Sequence, residues 1–266
     1  MTAARALLEA VAAIARRAGR EILEVYAAGA PVTTAKADTS PLTAADMRSH
    51  RLIAAALAEL TPGVPLLSEE SDEAPFAERS RWQRYWLVDP LDGTREFLSR
   101  NGEFTVNIAL IDGHTPTLGV VHAPVTGSSY LGVAGEGAWR QQGDGAAQPI
   151  RAAPRSASPL RVVGSRSHRG DSLDSFLARV GEHRLLEMGS SLKFCLVADG
   201  SADVYPRLGP TCEWDTAAAH AVLSAAGGTV SDLDGAPLRY NTRAELRNPF
   251  FVAYGPADHD WVALLR

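Results

Sequence analysis

Apolar residues at Leu7, Val11, Ile14, Ala18, Ile22 and Val25 recur at steps of four, three, four, four and three. That spacing puts them on one face of an amphipathic helix, so the chain is expected to open on a helix. A second helix is expected from Ala44 to Leu60, stopped by "TPG". Its start, "TAAD", is a capping-box pattern, with Thr43 as N-cap and Asp46 in the position usually held by Glu. The pattern then shortens. "YWLV", "FTVNIALI", "TLGVVHA", "SYLGVA" and "GAWR" are brief runs separated by Gly, Asp, Pro and Ser. They predict a meandering, mostly antiparallel sheet. "GEGAW" contains a G-x-G, but it lies between strands and opens no helix, so it reads as a hairpin turn and not a phosphate loop.

After "AAPRSASP" (152–159) the texture changes. Strand "LRVVG" leads to helix "DSLDSFLARVG", strand "HRLLEM" to helix "SLKFCLVADG", and strand "ADVYP" to helix "DTAAAHAVLSAAGG". Such alternation implies a mainly α/β second half. The boundary is expected near residue 155, with an α+β half over 1–155 and an α/β half over 156–266.

A chain of 266 residues can bury a large core, and 45% hydrophobic with 21% charged residues is the composition of a globular protein. A net charge of −5 without a Lys/Arg run argues against a nucleic-acid polymer as partner. The two cysteines, Cys195 and Cys212, are too few for a disulfide framework and lack zinc-site spacing. Cys195, in the apolar run "LKFCLVADG", reads as a buried free thiol. The N-terminal segment carries Glu9, Arg16, Arg17 and Arg20, which interrupt any signal-like apolar core. No run approaches the roughly 20 apolar residues needed to span a bilayer. The expected location is therefore the cytoplasm.

Acids recur where apolar runs end: Glu69 and Glu70 in "PLLSEES", Asp89 and Asp92 in "LVDPLDGT", and Asp215 in "CEWDTAAAH". Taken singly, each has an ordinary reading as a loop acid, a turn residue or a helix cap. Brought together, carboxylates repel one another and favour protonation unless a cation joins them. Mg²⁺ takes oxygen ligands and leaves room for water and substrate phosphate. In "DPLDGT", Pro90 stiffens the turn and Asp89 and Asp92 can face one pocket, with the Leu91 carbonyl as a third oxygen. Gly93 lets backbone N–H groups approach a phosphate, and Thr94 adds a hydroxyl. Two look-alikes fail. An EF-hand loop counted from Asp89 needs Gly sixth and Glu twelfth, but Gly93 is fifth and Arg100 twelfth. A D-x-D-G-T phosphatase would need its nucleophilic Asp where Pro90 stands.

The blocks "LSEES", "WLVDPLDGTREF", "NGEFTVNIALI" and "WDTAAAHAVLSAAGG" resemble the inositol-monophosphatase superfamily of Mg²⁺-dependent, lithium-sensitive phosphatases. "GSRSH", "GSSLKFCLVADG" and "YPRLGPTCEWDTAA" further resemble its branch of 3'(2'),5'-bisphosphate nucleotidases, enzymes of sulfur metabolism. The resemblance runs from the first helix to "LRNPFFVAYG". It implies a layered α/β/α/β/α sandwich, α+β in its first half and α/β in its second. Glu69, Asp89, the Leu91 carbonyl, Asp92 and Asp215 fall on the family's metal ligands, and Gly93 and Thr94 on its phosphate cradle. Asp46 falls on the acid that partners the threonine. Ser165, His168, Gly189 and Lys193 fall on nucleotide-binding positions, and Asp215 also helps hold the substrate. No role attaches to Cys212 or Glu213.

The implied reaction is hydrolysis of the 3'-phosphate of adenosine 3',5'-bisphosphate to AMP and phosphate. Thr94, backed by Asp46, would orient the attacking water and accept its proton. Two or more Mg²⁺ ions, roughly 4 Å apart, would activate that water and flank the phosphate. Four carboxylates against two dications leave the site about neutral before an anion arrives. An inositol monophosphate or sugar phosphate is the alternative substrate, and a non-catalytic Mg²⁺-dependent binding module the alternative of another class. The branch also includes proteins at the inner face of the bacterial membrane.

Overall fold

The computed structural model describes residues 2–29, 34–35, 41–72, 74–154, 158–167, 171–256 and 261–264. Helix α1 (Ala3–Ala28) is capped by Thr2, whose hydroxyl accepts from Arg5 N, and closed by Gly29 in the left-handed region. Its buried face is Leu8, Val11, Ile14, Ala15, Ala18, Ile22 and Val25. The expected stripe is thus rotated slightly at its start: Leu8 is buried and Leu7 only partly covered. After two short paired strands, β1 (Thr34–Ala35) and β2 (Pro41–Leu42), α2 spans Ala44–Leu60 as expected. The capping box is formed. Asp46 Oδ2 accepts from Thr43 N at 2.9 Å and Thr43 Oγ1 at 2.5 Å, and Thr43 Oγ1 accepts from Ala45 N at 3.1 Å.

Seven strands build the large sheet in sequence order: β3 (Leu66–Ser68), β4 (Arg84–Asp92), β5 (Thr105–Asp112), β6 (Thr115–Ala123), β7 (Ser128–Val133), β8 (Gly137–Gln142) and β9 (Gln148–Ile150). All neighbours are antiparallel except β3 and β4, which run parallel. "GEGAW" is the β7–β8 hairpin turn, with Gly135 and Gly137 at positive φ. Short helices α3 (Phe76–Arg79) and α4 (Thr94–Leu98) flank β4.

Side chains alternate across the sheet, as the period of two requires. Trp86 and Val88 of β4 with Val106, Ile108 and Leu110 of β5 pack on α1 and α2. Tyr85 and Leu87 with Ala109 and Ile111 face the other way, toward α7 (Glu213–Ala225). That helix comes very close. A Cβ on Gly119 of β6 would sit 2.1 Å from Ala218 O, and one on Gly132 of β7 would sit 2.6 Å from Val222 Cα. The alanines of "TAAAHAVLSAA" and these glycines let backbone meet backbone.

Beyond α7 and α6 (Leu192–Ala198) lies the smaller sheet, ordered β11 (His183–Met188), β10 (Leu160–Ser165), β12 (Val204–Arg207), β14 (Phe251–Tyr254), β13 (Thr229–Asp232). β10 runs parallel to β11 and β12, while β14 is antiparallel to β12 and β13. Helix α5 (Asp171–Val180) covers its outer face through Leu173, Phe176 and Leu177. The layers are therefore α1/α2, large sheet, α6/α7, small sheet and α5, the expected α/β/α/β/α sandwich. The large sheet ends at Ile150 and the small one begins at Leu160. Residue 155, where the boundary was placed, lies outside the described residues. The two halves share a core, because α7 belongs to the second and covers the sheet of the first.

Candidate active site

The parallel pair β3–β4 explains how acids from two loops meet. Ser68 is in register with Val88, and Glu69 N donates to Val88 O at 3.2 Å, so Glu69 stands beside Asp89. The β4–β5 ladder breaks between Asp89 and Asp92, where Pro90 interrupts the pairing. Asp89 Oδ1 accepts from Leu91 N at 3.0 Å and holds that turn. Gly93 follows at φ 95°, where a side chain would be strained and would also crowd Glu103, Glu96 and Ser190. Ser49 Oγ on α2 donates to Pro90 O at 2.7 Å, which seats the turn on the first turns of α2 near Asp46.

Asp215, in the first turn of α7, completes the cluster. One carboxylate oxygen from each of Asp89, Asp92 and Asp215 lies within 4.8 Å of the others. Burial, and then the charges of Glu69, Asp92 and Asp215, push Asp89 well above the usual carboxylate range. Burial also raises Asp92, and it raises Asp215 to about 8 with help from Asp92 and Glu69. Lys193 and Arg207 offset only part of this charge, and the donors are all oxygen. A hard divalent cation fits such a set.

The acids line a cavity of about 390 Å³ that also holds Leu91, Gly93, Thr94 and Ser165. Asp46 is buried, its Oδ2 holds the cap, and it lies outside the lining. Gly189 also lies outside the lining. Its N–H donates to Glu103 Oε2 at 2.7 Å, and a Cβ there would meet Glu96 Cγ at 2.5 Å, so the glycine allows loop to touch loop. His168 lies outside the described residues.

Lys193 is buried in the lining, as its place in an apolar run suggested. Its Nζ donates to Ser190 O at 2.5 Å and lies 5.6 Å from the centre of the Tyr205 ring. Burial pushes its pKa down to about 8 against the pull of Asp92. Arg207, at the end of β12, is a residue that the sequence reading did not single out. It is 9% exposed, its Nη2 donates to Pro210 O at 2.7 Å, and its buried Nε meets no acceptor among the described residues. The only sequence sign was one arginine closing the apolar strand "VYPR". Trp214 and Arg247 also line the cavity. Glu213 does not. It is buried, accepts from Asn241 N at 2.8 and 3.0 Å, and braces the start of α7.

A layered sandwich that buries converging carboxylates beside cations whose described hydrogen bonds end on carbonyls defines a class, the metal-dependent phosphatases. The model of the inositol monophosphatase family matches residues 4–256. The chain is 52% identical over 246 residues to the 3'(2'),5'-bisphosphate nucleotidase CysQ of Escherichia coli K12, covering 92% of this chain and 98% of that protein. The crystal structure of CysQ from Bacteroides thetaiotaomicron superposes with a TM-score of 0.81 at 40% identity, covering 94% of this chain and 97% of that one. The extragenic suppressor protein SuhB of Bartonella henselae shares the fold, with a TM-score of 0.80 at 24% identity over 98% of this chain and 97% of that one. The chain belongs to the inositol monophosphatase family.

Proposed function

We propose that this protein hydrolyses the 3'-phosphate of adenosine 3',5'-bisphosphate, releasing AMP and inorganic phosphate. One observation carries the reading. A single cavity holds a carboxylate cluster suited to a dication together with two buried cations, Lys193 and Arg207, whose hydrogen bonds among the described residues end on carbonyls and not on carboxylates. A ligand with one phosphate needs only the cluster. A second anionic group accounts for the cations. The name shared by relatives about half identical over nearly the whole chain supports the same substrate.

Glu69, Asp89, Asp92, Asp215 and the Leu91 carbonyl hold the metal, which we take to be Mg²⁺, two or more per site. When bound, Mg²⁺ offsets the charge of the cluster and lowers the pKa of the attacking water. Thr94 orients that water and relays its proton, with Asp46 behind it. Gly93 gives the reacting phosphate access to backbone N–H groups. Lys193, Arg207, Ser165 and His168 hold the second phosphate and ribose, and Trp214 offers a flat apolar face to the base. Gly189 serves this pocket indirectly, by letting its loop close on Glu96 and Glu103. Lithium sensitivity belongs to the same reading. No helix among the described residues is long and apolar enough to cross a membrane.

The test is phosphate release, with EDTA or Mg²⁺, from adenosine 3',5'-bisphosphate, its sulfated form, inositol 1-phosphate and fructose 1,6-bisphosphate. The expected result is Mg²⁺-dependent release, fastest from the nucleotides. A preference for inositol 1-phosphate would overturn the substrate, and no release from any of them would leave a binding module.

A further inference from the structure

Every described hydrogen bond to Asp92 ends on one oxygen, Oδ2. Ser191 N donates to it at 2.6 Å, Ser191 Oγ lies 2.7 Å away, Asn107 Nδ2 donates at 3.2 Å, and Thr105 Oγ1 stands at 3.5 Å. Ser191 Oγ is also 2.5 Å from the main-chain oxygen of Asp215 and accepts from Asn107 Nδ2 at 2.9 Å. Ser191 and Asn107 are buried.

Counting protons fixes the pattern. The Asn107 amide has two, and both are used, on Asp92 Oδ2 and Ser191 Oγ. Its oxygen then accepts from Thr105 Oγ1 at 3.0 Å. The single hydroxyl proton of Ser191 has two acceptors, Asp92 Oδ2 and Asp215 O. The two acceptors belong to different halves of the chain, Asp92 to the end of β4 and Asp215 to the first turn of α7. Among the described residues none donates to Asp92 Oδ1.

We propose that Ser191, supported by Asn107, is a positioning residue for the metal cluster. It saturates one oxygen of Asp92, turns the other toward the cation, and ties Asp92 to Asp215 so that ligands from the two halves keep their spacing before metal binds. The inference rests on the metal-dependent reading of the site, but it concerns a serine and an asparagine that the sequence pattern did not connect with the acids.

The test measures Mg²⁺ or Mn²⁺ binding to the metal-free protein by calorimetry and Mn²⁺ spin resonance, apart from turnover. Loss of a hydrogen-bond partner behind a ligand typically costs 10- to 100-fold in metal affinity. Ser191→Ala is expected to weaken the metal roughly tenfold or more, Asn107→Ala to weaken it less, and the double variant to weaken it by less than the product, since both act on one oxygen. Ser191→Thr, which keeps the hydroxyl, should recover most of the affinity. With metal at saturation, KM for the bisphosphate should stay near the parent's, because neither residue is assigned to the nucleotide. If Ser191→Ala melts lower yet binds metal like the parent, its role is structural and the proposal fails while the phosphatase reading stands. Multiplicative losses would break the shared clamp. A parent that binds no divalent metal would defeat the reading of the site and the clamp with it.

Discussion

Lys193 and Arg207 donate to the carbonyls of Ser190 and Pro210, although carboxylates share their cavity. A charge-assisted hydrogen bond to a ligand is worth about 1.5–3 kcal/mol. Arg207→Ala or Lys193→Ala should therefore lower kcat/KM for adenosine 3',5'-bisphosphate by roughly 10- to 150-fold. Mg²⁺ dependence should not change, and neither should the slow turnover of inositol 1-phosphate, which lacks the second phosphate. Equal losses on both substrates would move these residues to the shared phosphate site. Burial pushes the Lys193 pKa down to about 8, so the ammonium is charged below that pH and neutral above it. The pH profile of kcat/KM should then fall through about that pH, and Lys193→Arg should shift the fall upward, since a guanidinium stays charged. The acids were legible because each sits where an apolar run stops. Arg207 was not: a lone basic residue at a strand end has no spacing that ties it to the acids. Ser191 and Asn107 were invisible for a similar reason, since their contacts with Asp92 cross 99 and 15 positions of sequence.

Helix α7 carries Asp215 and lies against the glycines of β6 and β7. Gly119→Ala would place a methyl 2.1 Å from Ala218 O, so helix or strand must move. Overpacking of this kind costs about 1–3 kcal/mol, and more where backbone is the obstacle. The urea midpoint should fall, and Mg²⁺ affinity with it, because α7 cannot shift without Asp215. A variant with the parental midpoint would show that the close approach is not a constraint. The helix itself was readable from its alanines. Its partner glycines were not, because they belong to the other half of the chain. Likewise "VPLL" is too short to announce a parallel strand, yet that pairing is what sets Glu69 beside Asp89. The antiparallel edge formed by β13 and β14 also escaped the strand–helix pattern that revealed β10 to β12.

Across the whole molecule, buried titratable groups set how stability varies with pH. Asp215 is raised from 3.8 to about 8 and Glu213 from 4.5 to about 7, both chiefly by burial. Toward neutral pH the native state keeps protons that the unfolded chain has lost, so metal-free stability should fall as pH rises from 6.5 to 8. Mg²⁺ should reduce that slope, leaving the share of Glu213. His122 and His220 are lowered from 6.5 to about 4 by burial, so the native state refuses protons that the unfolded chain takes up below 6.5; with Mg²⁺ on the cluster stability should drop in acid, whereas without metal the raised carboxylates of Asp89, Asp92, Asp215 and Glu213 oppose that drop. Thermal unfolding from pH 5 to 8 in EDTA and in Mg²⁺ checks both branches, and a metal-free Tm that stays flat from 6.5 to 8 would contradict the first. The central claim is that one cavity cleaves one phosphate while its cations hold the other. Phosphorus NMR of adenosine 3',5'-bisphosphate during turnover with Mg²⁺ tests it directly. The account predicts that the 3' resonance gives way to inorganic phosphate while the 5' resonance persists as AMP, with no change in EDTA. Loss of the 5' resonance first, or turnover in chelator, would contradict it.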